Sequence, residues 1–201
     1  MERLVDAQLL EVAGRDHFGQ TRYHFHDLVR LFAKELLDQE EPVDAQKVAL
    51  QRVLDAQLAR ARIADSVLQS GRVSVSTRVA GVALEDRLRH DPLGWFNSEH
   101  AGLVALVGQG YEAELFQPTR EVALAYFFDV RGHVRLWQHT HEIALEAARR
   151  SRDRPGEADT LRSIAIARWE MGDWVSALSD FEESLRIARE LGQPPGGICS
   201  Q

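Results

Sequence analysis

Two stretches near the end of the chain, related by an offset of forty residues, constrain the fold more than any other feature. Laying Gly132 on Gly172 also aligns five later pairs, which are Leu145 on Leu185, Ala148 on Ala188, Arg149 on Arg189, Pro155 on Pro195 and Gly156 on Gly196. Self-similarity at a period of about 20 to 50 residues is typical of units that cannot bury an apolar face alone and therefore stack on their neighbours. The sequence therefore predicts stacked helical units over residues 132–197.

Apolar residues at helical spacing predict three helices in this stretch, over residues 134–151, 157–171 and 174–191. The predicted turns all contain glycine and lie at Gly132, Pro155-Gly156, Gly172-Asp173 and Gly192. Two earlier helices are expected, one that begins near Trp95 and stops at Gly108-Gln109-Gly110, and one over residues 111–130. Antiparallel helix pairs joined by short turns form an α-solenoid.

The first forty residues predict the order helix, strand, helix. Apolar residues at helical spacing run from Leu4 to Val12 and end at Gly14, which is placed as a helix-terminating glycine. Residues 20–27 alternate apolar and polar side chains, which is typical of a strand with one packed face. Asp27 then stands where an N-cap would accept hydrogen bonds from a helix that starts at Leu28. A chain that opens this way is expected to be the end of a domain whose beginning is absent.

The middle of the chain divides into a helix and a stretch without a clear period. Residues 44–70 carry apolar side chains at helical spacing with no glycine or proline, so residues 42–70 are predicted to form a helix that connects two modules. Residues 71–92 lose this pattern and are interpreted as an irregular insertion, with a short strand or helix as the less favoured alternative.

Composition narrows the class of protein. The 201 residues hold 24 Lys and Arg against 31 Asp and Glu, a net charge of −7, which gives no general attraction to a phosphate backbone. We therefore expect no direct binding to nucleic acid. The single cysteine, Cys199, excludes an internal disulfide and a Cys-based zinc site and favours a reducing, cytoplasmic setting. No stretch is long and apolar enough to cross a membrane.

The residues that fix the repeat also resemble a known family. Ala165, Gly172, Trp174, Ala177 and Phe181 have the spacing of the tetratricopeptide pattern, in which small residues let paired helices approach and aromatic residues fill the space between pairs. One unit earlier the equivalent residues are Ala125, Gly132, Val134, Trp137 and His141. Trp137 and His141 depart from the pattern, so this unit is interpreted as degenerate.

Three blocks of sequence together resemble the C-terminal part of bacterial NB-ARC proteins, which are signal-transduction ATPases and include multidomain antibiotic-regulatory transcription factors. The blocks are LVDAQLLEV, RYHFHDLVRLFAKE and the helix end AARRSRDRPGEA. The resemblance implies a winged-helix remnant at residues 1–41, and it implies tetratricopeptide-like repeats at residues 93–201, truncated at the C-terminus. The expected fold is thus mainly α, with a small β arm followed by an α-solenoid.

In that family a Met-His-Asp motif ends the winged helix, and its histidine contacts the β-phosphate of ADP. The matching residues here are Phe25, His26 and Asp27, so the resemblance implies a nucleotide-sensing role for His26 and Asp27 in a longer protein that binds ADP or ATP. The alternative is a turn histidine and an ordinary helix-capping Asp27. The chain has no G-x-x-x-x-G-K-[ST] loop, so we expect it to have no cofactor and no ATPase activity of its own. The nucleotide-binding domain is expected upstream.

Two other candidate sites are less favoured. The metal-ligand candidates are His24, His26, Asp27, His133, His139, His141 and Glu142, but no H-E-x-x-H arrangement joins them, so we expect no metal and regard a metal-dependent hydrolase as the third choice of function. The basic residues Arg149, Arg150, Arg152 and Arg154 would suit a carboxylate or phosphate, although cations at a helix C-terminus also complement its dipole.

If the repeat register holds, the first helix of each pair presents its inner face to a partner. This face is predicted to carry Thr119, Val122, Tyr126 and Asp129 in one unit and Asp159, Arg162, Ile166 and Trp169 in the next. Tyr126, Arg162 and Trp169 are the candidate contacts with a peptide or protein, although Trp169 also suits packing between repeats. The sequence therefore predicts a protein-interaction and regulatory fragment without enzymatic activity. The alternative is a stand-alone tetratricopeptide-like scaffold without a link to nucleotide.

Overall fold

Helices account for most of the chain in the computed structural model, which describes residues 2–16, 19–69, 84–125 and 130–192. The elements in order are α1 (Glu2–Asp6), β1 (Leu10–Arg15), β2 (Thr21–Phe25), α2 (Asp27–Glu40), α3 (Val43–Gln69), α4 (Leu84–His90), α5 (Pro92–Glu112), α6 (Phe116–Ala125), α7 (Val130–Arg150), α8 (Arg154–Glu170) and α9 (Trp174–Glu190). The predicted fold class, mainly α with a small β arm, is confirmed.

The β arm is an antiparallel hairpin of β1 and β2. The helix predicted over the first dozen residues is wrong beyond Asp6, because Leu10 and Val12 pair with Phe25 and Tyr23. Over so short a run, apolar residues two apart fit a strand as well as a helix. Gly14 does not terminate a helix but follows a register shift in β1, where its φ is 121°.

Helix α2 follows the arm directly, and none of its residues is buried. The predicted N-cap was placed one residue too late. His26 is the N-cap, and its Nδ1 accepts a hydrogen bond from the Leu28 backbone N–H at 3.4 Å. Asp27 is the first helical residue, and its carboxylate lies 3.7 Å from the Arg30 guanidinium. A carboxylate in the first turn favours the helix through its dipole even without capping it.

The largest core is formed by α3, α4, α5, α6 and α7. Leu54, Leu58, Ala61 and Ala64 follow one another at helical spacing and form the buried stripe of α3. They pack with α5 residues such as Phe96 and Val107. Helix α3 is therefore part of the helical body and not only a connector, while the division of the chain into domains stays a prediction.

The stretch predicted as an irregular insertion contains a helix at its end. Residues 84–90 form α4, whose one buried side chain, Leu88, enters the main core, so the irregular interpretation is wrong there. Leu88, the one apolar residue in DRLRHD, thus holds α4 against the core together with the partly buried Leu84. Residues 71–83 of the predicted insertion lie outside the described residues.

Helix α5 continues through the position where it was expected to stop. It runs through Gly108 and Gly110 to Glu112, and the turn comes at Glu114, whose φ is 60°. Gly110 serves close packing instead, because a Cβ there would lie closer to Thr119 Oγ1 on α6 than van der Waals contact permits. The absence of a side chain lets α5 and α6 approach each other.

Helices α7, α8 and α9 end at Arg150, Glu170 and Glu190, at intervals of twenty residues, so a helix pair repeats every forty. Asp153 and Asp173 cap α8 and α9 through hydrogen bonds to the backbone N–H of Gly156 and Ser176. The predicted turn at Gly172, with a φ of 84°, is confirmed.

Two of the predicted glycine turns in this region are wrong. Gly132 lies inside α7. Pro155-Gly156 lies in the first turn of α8, where the backbone N–H that proline lacks would have no partner within the helix. The chain instead turns at Arg152, with a φ of 56°. The forty-residue period thus belongs to the helices and not to every glycine that suggested it.

Smaller clusters join the last three helices. Trp137 of α7 packs with Ile164 and Ala167 of α8. Ile187 of α9 packs with Ala158 and Leu161 of α8. In the described ranges, no helix combines the length and the hydropathy needed to cross a membrane.

Candidate functional site

The predicted partner face of α8 is a stripe along one side of this helix. Asp159, Arg162, Ile166 and Trp169 follow one another at helical spacing, and Arg162 and Trp169 are exposed. The guanidinium of Arg162 lies 3.5 Å from the Asp159 carboxylate, and both side chains are about half exposed. Solvent-exposed pairs of this kind are weak, so Arg162 is available to a partner. Tyr126 and Asp129 lie outside the described residues.

On α6, the residues of the equivalent face are buried and not exposed to solvent. Thr119 and Val122, predicted to face a partner, are fully buried, so this part of the prediction is wrong. The Thr119 hydroxyl donates to the Leu115 carbonyl at 2.6 Å. Helix α6 packs against α3, α5 and α7, which leaves this stripe no contact with solvent. Among the described residues, the exposed part of the predicted face therefore lies on α8.

The turn between α8 and α9 adds aromatic surface to the α8 stripe. The rings of Trp169 and Trp174 lie with their centroids 6.4 Å apart, and both are exposed. The tetratricopeptide pattern assigns Trp174 to packing between repeats, so sequence reasoning did not place it among the candidate contacts. The apolar residues Val175 and Leu178, which lie at helical spacing next to Trp174, were the sequence signal that could have indicated an apolar surface there.

Three of the four arginines in the basic cluster at the α7 to α8 turn form ion pairs. Arg149 and Arg154 both contact the buried carboxylate of Glu157, with shortest distances of 3.0 Å and 2.6 Å. Arg154 also reaches Glu190 of α9 at 2.8 Å. Hydrogen bonds with Glu190 and then Glu157 raise the pKa of Arg154. These cations therefore connect three helices, which favours the structural interpretation over an anion-binding one.

Arg150 makes a second set of contacts on the same turn. Its guanidinium lies 4.9 Å from the centroid of the Phe116 ring and 5.5 Å from that of Tyr111. Its Nη2 lies 3.2 Å from Glu114. Arg150 thus holds the end of α7 against the turn between α5 and α6.

His141 is the one buried histidine among the described residues, and its contacts suit packing. Its Nδ1 lies 3.1 Å from the Trp137 carbonyl and its Nε2 lies 3.1 Å from the Ser163 hydroxyl. Burial lowers the pKa of His141 to about 4, against a smaller opposite effect of the Trp137 carbonyl. Because a backbone carbonyl and not a carboxylate orients the ring, the His141–Ser163 contact lacks the third group of a hydrolase triad.

The other metal-ligand candidates whose side chains the structure describes do not converge. His24 lies 3.0 Å from Glu11 across the hairpin, while His26 bonds to its own helix. No three His, Cys, Asp or Glu side chains in the described ranges stand close enough together to hold a metal ion.

His26 nevertheless has a geometry that suits an anion. Because Nδ1 accepts from the Leu28 N–H, the neutral ring carries its proton on Nε2. His26 is exposed and stands at the N-terminus of α2, where backbone N–H groups and the helix dipole favour negative charge. Asp27 beside it is also exposed.

Comparison with known proteins agrees with the repeat architecture. Residues 138–190 match the family model described as tetratricopeptide repeat. The regulatory protein AfsR of Streptomyces griseus is 30% identical to this chain over 128 residues, which are 62% of this chain but only 13% of AfsR. The chain therefore spans a small part of the length of this relative. No solved structure matches significantly.

The tetratricopeptide match covers the second half of α7 and all of α8 and α9. It includes Arg162, Trp169 and the exposed residues at the α8 to α9 turn. The NB-ARC and winged-helix parts of the expected relationship stay predictions. Residues 138–190 are thus similar to a tetratricopeptide repeat and lie within a longer array of helices.

Proposed function

We propose that the helical array binds a protein partner through the exposed stripe of α8 and that it does so within a regulator. The observation that carries this proposal is the coincidence of the tetratricopeptide match with a helix that exposes Arg162 and Trp169. Arg and Trp dominate the binding energy of protein interfaces. The similarity to the regulatory protein AfsR supports the second half of the proposal.

Charge reversal on α8 tests the binding site. Peptides are selected from a random library by binding to the folded chain, and their affinity is measured by fluorescence anisotropy. We expect Arg162→Glu to weaken binding roughly tenfold, as for an interface anchor. The control is Arg62→Glu, because Arg62 is a similarly exposed cation that pairs with Glu121 at 2.7 Å on the α3 to α6 side. Unchanged affinity in the Arg162 variant would remove the α8 stripe from consideration.

The proposal extends to nucleotide in a longer protein of the NB-ARC type. There the Nε2–H of His26 would donate to a phosphate oxygen at the start of α2, with Asp27 as its neighbour. The proton position on His26 and its place at a helix N-terminus support this role.

A test of this role needs a protein that carries this chain downstream of a phosphate-binding loop. We expect His26→Ala to shorten ADP retention in that protein, while His24→Ala on the adjacent strand leaves retention unchanged. Retention that is insensitive to His26 would favour the alternative, a tetratricopeptide scaffold without nucleotide.

A further inference from the structure

An exposed apolar ridge runs across the turn between α8 and α9. Its residues are Trp169 (59% exposed), Trp174 (64%), Val175 (85%) and Leu178 (59%). Leu178 is four residues after Trp174 and three after Val175, so the three lie along one side of α9. Trp169 joins them through its ring contact with Trp174. We call these four residues the tryptophan ridge.

Three exposed carboxylates border the tryptophan ridge, namely Glu170, Asp173 and Glu182. The first two are next to the tryptophans in the sequence, and the third lies one helical turn after Leu178. Within the part of the chain that the structure describes, none of the three forms an ion pair. Hydrogen bonds with Ser176 lower the pKa of Asp173, which therefore stays ionised near neutral pH.

One neighbouring cation acts on this negative border without pairing with it. Arg168 precedes Trp169, and its charge helps to lower the pKa of Asp173, but its guanidinium forms an ion pair with Asp180 on α9. The surface therefore combines an apolar centre with a negative rim. Complementary charge on a partner steers encounter and selects against partners of the same sign.

We propose that the tryptophan ridge binds a basic amphipathic helix, with apolar residues one turn apart over the tryptophans and Lys or Arg residues opposite the carboxylates. This inference rests on the proposed function of the array and adds the location and the chemistry of the partner. Binding of an amphipathic helix through its apolar face is one of the recurring modes of peptide recognition. A second copy of this chain fits less well, because it would bring the same three carboxylates and a net charge of −7.

The test uses two synthetic helical peptides with leucines at identical positions, one with lysine and one with glutamate at all other positions. Binding of the labelled peptides to the folded chain is followed by anisotropy. We expect the lysine peptide to bind and the glutamate peptide not to. The double variant Trp174→Ser, Leu178→Ser should weaken binding of the lysine peptide by roughly tenfold or more.

A matched control comes from α2, which also exposes apolar side chains. Leu31 is 57% and Phe32 is 63% exposed, so Leu31→Ser, Phe32→Ser removes similar surface from a different helix. This control should leave lysine-peptide binding unchanged. The charge variant Glu170→Lys, Glu182→Lys should weaken the lysine peptide and admit the glutamate peptide, and it spares the capping carboxylate at the start of α9.

Several results would overturn the inference. Equal binding of both peptides, or equal loss in the α2 control, would show non-specific contact. Light scattering that finds a dimer in the wild type and a monomer in the Trp174, Leu178 variant would make a second copy the occupant. Binding to this chain but not to a longer protein would make a following repeat the occupant. Library peptides that respond to Arg162→Glu but not to the ridge variant would refute the ridge while retaining the proposed function.

Discussion

Acid should destabilise this protein through His141, and the size of the effect follows from its burial. The side chain has no exposed surface, and burial lowers its pKa from 6.5 to about 4. At a pH between these two pKa values, His141 is protonated in the unfolded chain but not in the folded chain. The free energy of unfolding therefore falls as the pH falls from 6.5 to 4. One pKa unit corresponds to about 1.4 kcal/mol, so the full loss is about 3 kcal/mol.

About 2 kcal/mol of this loss should occur between neutral pH and about pH 5. Urea unfolding followed by circular dichroism at the two pH values measures it for the wild type. His141→Gln replaces the ring with a polar side chain that does not titrate, so its pH-dependent loss should be smaller by this amount. Comparing variants cancels the contribution of every other titrating group.

The matched control is His139→Gln, because His139 is exposed on the same helix two residues earlier. This variant should keep the full pH dependence of the wild type. If His141→Gln and the wild type lose equal stability in acid, the histidine is not held neutral by burial. The reasoning from its contacts would then be wrong, whatever the variant does to stability at neutral pH.

Two further predictions concern the contacts that hold the helical body together. Arg22 contacts Glu99 of α5 and donates from Nε to Asp16 at 2.7 Å. Arg22→Gln should therefore speed amide hydrogen exchange in the hairpin by roughly fivefold, equivalent to about 1 kcal/mol. Exchange in α9 should stay unchanged. Gly110→Ala should destabilise the protein by about 1 to 3 kcal/mol in urea unfolding, because its Cβ would overlap the buried hydroxyl of Thr119. Gly108→Ala, two residues away with open space around it, should instead be neutral or stabilising, and equal effects at both glycines would contradict the packing argument.

The last three helices were predictable because their signals are strong and local. Apolar periodicity fixes α7, α8 and α9, and Gly172 marks a left-handed turn that glycine adopts without strain. The turns at Glu114 and Arg152 were not predictable, because these residues adopt positive φ values of 60° and 56° although neither is a glycine. Such conformations cost a non-glycine residue about 1 kcal/mol or more and are maintained by surrounding structure.

The candidate site was predictable only where the exposure of its residues depends on a single helix. Arg162 and Trp169 lie on the exposed stripe of α8, as the repeat register predicts. Thr119 and Val122 occupy the same register one unit earlier but are buried, because α3, α5 and α7 pack around α6 and cover a face that the pattern leaves open. A repeat pattern states which side of a helix faces its own pair. It does not state which other helix of the chain packs on the opposite side.

The distribution of polar and apolar contacts separates stability from recognition along the array. From α7 to α9, charged side chains form ion pairs that join the helices. Glu157 accepts hydrogen bonds from Arg149 and Arg154, and Arg154 also donates to Glu190. At the α8 to α9 turn apolar side chains are instead exposed, and the three carboxylates that border them form no ion pair within the described ranges, although Asp173 also caps α9. In an array where each helix is stabilised mainly by its neighbours, such a surface contributes little to the fold. Its composition is therefore better explained by a partner that it binds than by the helices that it leaves uncovered.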